Sequence, residues 1–330
     1  VWVQDESADP EKPSPSVYYS FHNGTAWSAP ARVSGENAVV GFPKVVFVAP
    51  PRGLAVWEQN KLSRDDADMS DGVTLLSNGE LYYALWDGLS WSAPAPITND
   101  QAFDAKPMLA ADPSTARAML VWLRVNQPST SDQVMVPDGV YYTTFDGRQW
   151  SAPALIDPRS SGVDSQATIK FNQRGQAVAL WVRDVDRDIS TSEDRRILMS
   201  PFDGRAWTAP EAIPNLPAGT FTPAFAFDKD NTLIVVFVVP ATNPETGRLA
   251  SGDGSRSALY SAYRRGNTWE VVAVGQNTYA ENPVVSTQIK CSDTEARRGR
   301  LWASSAIWRV LLGPTAALKV WSSELTPICT

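Results

Sequence analysis

The sequence predicts an all-β fold of repeated four-stranded antiparallel sheets, the blades of a β-propeller, and three observations predict it. The tetrapeptide Gly-x-x-Trp recurs, ending at Trp27, Trp91, Trp150, Trp207 and Trp269, at intervals of 64, 59, 57 and 62 residues. A second landmark follows each by 30 to 33 residues: Trp57, Trp122, Trp181, Phe237 and Trp302. Between the landmarks lie short apolar runs broken by Asp-Gly or Asn-Gly turns. A period near 60 that carries four short strands is the signature of a propeller blade.

Each unit reads as strands A to D. Strand A is a segment such as PKVVFVAP from Pro43, KPMLAADP from Lys106 or TPAFAFD from Thr222. Strand B ends at the second landmark and is apolar almost throughout, as in AMLVW and LIVVFVV. That pattern suits a strand whose sheet is covered on both faces. Strand C is aromatic (VYYSF, LYYAL, VYYTT), and Asn23-Gly24, Asp87-Gly88, Asp146-Gly147 and Asp203-Gly204 turn it back, since these pairs accept positive φ. Strand D carries Trp-Ser/Thr-Ala-Pro, and its proline belongs on a sheet edge. The repeated tryptophans are expected to pack between blades, and the turn acids to shape hairpins.

The repeats occupy about 1–290. Residues 1–33 supply strands B, C and D without an A, and full blades follow at 42–98, 106–157, 166–214 and 222–274. A strand near 283–289 is expected to close the first sheet, joining strands from both termini. This arrangement gives five blades; Leu301-Trp302 and Lys319-Val320-Trp321 suggest a degenerate sixth within a C-terminal extension, 291–330. The chain opens mid-repeat on VWVQ, as a mature form or excised fragment would.

Composition narrows the partners. With 330 residues and 43% hydrophobic content, the chain can bury a large core. Its net charge of −7 argues against nucleic acid or an anionic membrane surface. The longest apolar run, Leu233 to Val239, is too short for membrane insertion as a helix. Cys291 and Cys329 are the only cysteines and do not by themselves establish a disulfide. Nothing in the sequence fixes an oligomeric state.

At the Gly-x-x-Trp residues the chain resembles the sialidase-type bacterial neuraminidase repeat, the Asp-box propellers. Their box reads Ser/Thr-x-Asp-x-Gly-x-x-Trp at the turn between strands C and D. Here the acid directly precedes Gly (Asp87, Asp146, Asp203), and the usual acid position holds His22, Trp86, Phe145, Phe202 and Arg264. The Phe/Tyr-Arg-Ile-Pro motif of sialidases is absent, so the resemblance covers the blade, over about four-fifths of the chain, and implies architecture ahead of chemistry. It also implies a bacterial protein placed outside the cell, in the periplasm or at the cell surface.

Function is expected on the loops joining strands B and C, which are long, polar and variable, whereas the A–B and C–D turns are short. The rim candidates are Asp65, Asp66, Asp68, Asp71, Asp184, Asp186, Asp188 and Asp253. The alternating carboxylates Asp184, Asp186 and Asp188 form a candidate Ca²⁺ site, although no Gly or closing Glu gives an EF-hand loop. No other cofactor is implied. His22, the single histidine, sits in a C–D turn and leaves no triad or His-rich metal site. The reading is a non-catalytic binding or scaffolding propeller for a glycan or protein ligand. Its alternative is a sialidase-like glycoside hydrolase or polysaccharide lyase using two rim carboxylates such as Asp66, Glu193 or Asp253.

Overall fold

A computed structural model describes residues 1–8, 14–65, 72–126, 136–189, 191–240, 257–266, 268–278, 288–290 and 302–304. The first sheet holds β1 (Trp2–Asp5), β2 (Pro15–Tyr19) and β3 (Ala31–Arg32). Four four-stranded sheets follow. The second comprises β4 (Ala38–Ala49), β5 (Arg52–Ser63), β6 (Gly79–Trp86) and β7 (Ala95–Pro96). The third comprises β8 (Phe103–Ala111), β9 (Ala118–Val125), β10 (Gly139–Phe145) and β11 (Ala154–Leu155). The fourth comprises β12 (Val163–Phe171), β13 (Ala177–Asp184), β14 (Arg196–Pro201) and β15 (Glu211–Ala212). The fifth comprises β16 (Phe221–Phe227), β17 (Leu233–Pro240), β18 (Ser257–Arg265) and β19 (Thr268–Thr278). A two-stranded sheet pairs β20 (Gln288–Lys290) with β21 (Trp302–Ser304). Each four-stranded sheet is a meander in the order A-B-C-D. The one helix among the described residues, α1 (Gly72–Ser77), lies in the B–C connection of the second sheet.

The chain divides into two compact units, Val1–Ala179 with Ser200–Ala209 and Leu180–Met199 with Pro210–Thr330. Most of the segment expected to close the first sheet lies outside the described residues, and Gln288–Lys290 pair with Trp302–Ser304.

In the first unit, strand B explains the packing. Leu54 and Val56 on β5 join Leu120, Trp122 and Phe145 of the third sheet in one buried cluster. The alternate residues Ala55 and Trp57 join Val17 and Val33 of the first sheet in another. A two-residue period places successive side chains on opposite faces, so one apolar strand feeds two cores.

The C–D turns follow one design. In the middle three complete turns, Oδ1 of Asp87, Asp146 and Asp203 accepts two backbone N–H bonds of 2.7–2.9 Å from the residues two and three later. These bonds hold all three carboxyls below the usual aspartate range. The following glycines take φ of 98–112°, a left-handed conformation strained for side-chain-bearing residues. After the tryptophan, Ser28, Ser92 and Ser151 Oγ each accept a strand C N–H at 3.0 Å.

Two expectations need correction. Trp-Ser/Thr-Ala-Pro does not lie within strand D: the tryptophans pair as isolated bridges, and β3, β7, β11 and β15 are two-residue strands beyond the proline. Where Ser-Ala-Pro is missing, after Trp269, strand D runs for 11 residues. Nor does every repeated tryptophan pack against another sheet, and the deepest aromatics lie on strand B. Trp57, Trp122 and Trp181 on strand B are fully buried, whereas Trp27 is 69% exposed and Trp91, Trp150, Trp207 and Trp269 are half-buried. Three of the repeated tryptophans nonetheless meet the preceding sheet edge-on: Tyr19–Trp91, Tyr83–Trp150 and Tyr142–Trp207, with centroids 5.5–5.9 Å apart at 70–84°. Trp27 has the exposed His22 ring against it at 5.1 Å.

Truncations should follow this ranking in urea denaturation. Trp122→Ala should cost about 3–5 kcal/mol, as losing a fully buried aromatic does. Trp150→Ala should cost about 2 kcal/mol, and Trp27→Ala should stay within about 0.5 kcal/mol of the parent. Equal losses at Trp27 and Trp122 would contradict the assignment of the core to strand B.

Candidate functional site: carboxylates at the strand B to strand C ends

In the first unit, ionic groups converge where β5 and β9 end and β6 and β8 begin. Burying Trp122 requires a partner for its indole N–H, and Nε1 donates to Asp104 Oδ1 at 2.6 Å. Asp104, itself fully buried, has Arg124 Nε 3.7 Å away, and Arg124 also pairs with Asp100. Lys61 Nζ donates to Glu80 Oε1 at 2.8 Å and to the Asp100 carbonyl. The Asp100 N–H reaches the same Glu80 oxygen at 2.6 Å. One carboxylate oxygen from each of Glu80, Asp100 and Asp104 lies within 4.8 Å of the others. Glu80 Oε2 and Asp104 Oδ2 are buried without a partner. Burial pushes the Asp104 carboxyl up to about 6, outweighing Arg124, Thr98 and Trp122.

Two cations are already seated among these three acids. The arrangement ties the ends of the second and third sheets together, and stripping one partner from such a network is strongly destabilising. Nearby, Glu58 Oε1 accepts the N–H of Lys106, which sits at a strand A bulge with φ 55°. Desolvation lifts Glu58 to about 6 as well, against Lys106 and Lys44. None of these residues stands out in the sequence. The one available signal was that Glu80, Asp104 and Arg124 are charged residues at strand ends beside otherwise apolar text.

In the second unit, the B–C loop of the fourth sheet gathers Asp184, Asp186 and Asp194, again with one oxygen from each within 4.8 Å. Asp184 closes β13 and is 4% exposed. Its Oδ2 takes Arg195 Nε at 3.4 Å, while its Oδ1 is buried without a partner. Asp194 Oδ2 accepts the N–H groups of Val185 and Asp186 at 2.6 and 2.7 Å, folding the loop back on itself. Asp194 Oδ1 is likewise buried and partnerless. Desolvation first, then Asp194, raises the Asp184 carboxyl. The cluster differs from the expected Asp184, Asp186, Asp188 set. Asp188 is exposed and gives its backbone N–H to Asp186 Oδ1 at 2.8 Å, while Asp194 takes the third place in the cluster. The missed signal was an acid just before strand C, Asp194, that closes the loop.

Among the described residues, Asp65 and Glu193 join neither cluster. Asp65 is exposed and accepts the Asn37 amide at 3.1 Å, and Glu193 is exposed. Asp66, Asp68, Asp71, Asp253, Cys291 and Cys329 lie outside the described residues. His22 is exposed, its Nδ1 accepting the Gly24 N–H at 3.2 Å.

Comparison with known proteins supports the class of fold. No protein-family model and no curated protein matches the chain. Among solved structures, a Hadza microbial sialidase aligns at TM-score 0.50 and 13% identity, over 76% of this chain and 50% of that one. A polysaccharide lyase, ulvan lyase bound to -[GlcA(1-4)Rha3S]-, aligns at TM-score 0.50 and 13% identity, over 90% of this chain and 75% of that one. The chain thus spans half the length of the sialidase. The likeness shows a β-propeller fold. No helix among the described residues is long and apolar enough to cross a membrane.

The raised carboxyls carry a pH signature. Asp104 is protonated up to about 6 when folded, against 3.8 for the ordinary group. Between those values the folded state binds the extra proton, so this contribution to stability falls as pH rises and levels off above the folded value. Denaturation curves across this window should show a shallower loss with rising pH in Asp104→Asn than in the parent. Glu58→Gln should flatten the window from 4.5 to about 6 in the same sense. Parallel profiles for parent and both variants would refute the raised values.

Proposed function

We propose that this chain is a glycan-binding propeller module, working outside the cell or at its surface, with one Ca²⁺ held by Asp184, Asp186 and Asp194. The observation that carries it is the pair of buried, partnerless oxygens, Asp184 Oδ1 and Asp194 Oδ1, in one B–C loop. A buried carboxylate oxygen without a donor is costly, and a bound cation removes that cost. Ca²⁺ accepts about six to eight oxygens in flexible geometry, which suits carboxylates on a loop. Asp186 is exposed, so coordination positions on that side are open to water or to paired sugar hydroxyls. The acidic net charge of −7 and the long polar loops on a rigid scaffold fit the same role. The solved relatives of this fold include a sialidase and a lyase bound to a saccharide, which supports a carbohydrate as the ligand class.

A catalytic reading keeps one supporting observation. Glu58, lifted to about 6, titrates nearer neutral pH than an ordinary glutamate, the direction a general acid in glycoside cleavage needs. Turnover of sialosides or ulvan that disappears in Glu58→Gln would establish an enzyme in place of a binding module.

The Ca²⁺ reading is tested by calorimetry and melting. Ca²⁺ should bind the parent with a saturable heat and raise its melting temperature, and Asp184→Asn or Asp194→Asn should remove both effects. Glycan-array signals should vanish on adding EDTA and return with Ca²⁺. A parent protein indifferent to Ca²⁺ would end this proposal.

A further inference from the structure

One repeated tryptophan, Trp269 in the second unit, has lost both of the ring partners that other repeats supply. In strand C, one position holds Tyr19, Tyr83 and Tyr142 in the first three sheets, and each ring meets the tryptophan of the next repeat edge-on. The fourth sheet has Met199 there. A second position, paired across the turn with each tryptophan, holds a ring in four repeats: His22, Trp86, Phe145 and Phe202. Those rings lie 5.1–5.6 Å from their tryptophans. In the fifth repeat that position is Arg264, in register with Trp269. Two rings are therefore missing around one tryptophan. A cleft of about 200 Å³ lies there, lined by Met199, Ile213, Glu211, Arg264 and Trp269 among others.

The lining has a distinct chemistry. Met199 and Ile213 form a buried apolar floor, and Trp269 is half-buried beside it. Glu211 and Arg264 are exposed at the mouth. The Arg264 Nε–H donates to the Gly266 carbonyl at 3.1 Å, which anchors one of five guanidinium donors. The site thus offers one aromatic ring, one carboxylate acceptor and one guanidinium donor, with opposite charges in balance.

We propose that this cleft is a second, metal-independent binding subsite for one neutral pyranose unit of a glycan chain. A pyranose has an apolar C–H face that suits the Trp269 ring, in the way apolar groups stack on aromatic faces. Its hydroxyls both donate and accept, so Glu211 and Arg264 engage them together. An anionic sugar would gain from Arg264 and lose against Glu211. The volume lies below the roughly 300–1,000 Å³ of whole-ligand pockets, which fits one unit of a chain that continues into solvent. The four other repeated tryptophans carry a ring at the paired position, which leaves Trp269 as the repeat adapted for a ligand.

The test is run in EDTA, so that Ca²⁺-dependent binding at Asp184 and its neighbours is silent and the two proposals fail separately. Cellotetraose, xylotetraose and mannotetraose, with tetragalacturonate as the charged counterpart, are titrated against isotope-labelled protein while the Trp269 indole N–H resonance is followed. At least one neutral tetramer should shift it saturably in the millimolar range and more strongly than tetragalacturonate. Met199→Tyr, which restores the ring of the earlier repeats and fills the cleft, should abolish the shift while the melting temperature holds or rises. Glu211→Gln should weaken binding about tenfold, the loss of a hydrogen bond to a charged group. The proposal is overturned if no neutral tetramer binds, if tetragalacturonate binds best, or if Met199→Tyr binds as the parent does.

Discussion

A single constraint organises the described structure: the second strand of each four-stranded sheet is apolar on both faces. On β5, Leu54 and Val56 enter one core while Ala55 and Trp57 enter the other. A sheet built this way is unstable alone, because half of its apolar surface faces water until another sheet covers it. Repetition of the blade follows from that requirement.

The same constraint generates the buried charge. Trp57 and Trp122 each bring an indole N–H into a dry core, and each needs an acceptor. Trp57 uses Gln59 Oε1 at 2.9 Å, a neutral solution. Trp122 uses the Asp104 carboxylate, which draws in Arg124 and through it Asp100. The ionic network between Lys61 and Arg124 thus begins as the polar cost of a buried aromatic, with charge placed where ladder bonding ends.

The two ends of the sheets differ in kind. At the C–D end, the Asp-Gly turns and serine hydroxyls satisfy the backbone in the same manner repeat after repeat. At the B–C ends the loops vary, and partnerless carboxylate oxygens lie there, on Glu80 and Asp104 in the first unit and on Asp184 and Asp194 in the second. Backbone bonding repeated without change marks a structural device, whereas a buried carboxylate oxygen without a donor marks a place that a cation can fill. The break in the tryptophan pattern at Met199 and Arg264 carries information too: both ring partners that Trp91, Trp150 and Trp207 keep are given up at Trp269.

The sequence by itself determined the class of fold, because local signals agreed across several copies. Period-two apolar runs specified strands, Asp-Gly and Asn-Gly specified turns, and the recurrence of both specified blades. It also placed Asp184 and Asp186 in one acidic loop, since they are neighbours along the chain. What it did not reveal was set by distance through space. The rank order of the tryptophans depended on which ring faced a neighbouring sheet, so Trp122 became core and Trp27 stayed in water. Asp194 entered the acidic cluster only because its other oxygen binds two N–H groups eight and nine residues earlier, and the Glu80–Asp100–Asp104 group unites residues from separate strands and a loop. Tertiary structure decided these matters because burial, hydrogen-bond closure and charge pairing are properties of converging strand ends, and the pattern of residues along a single strand does not contain them.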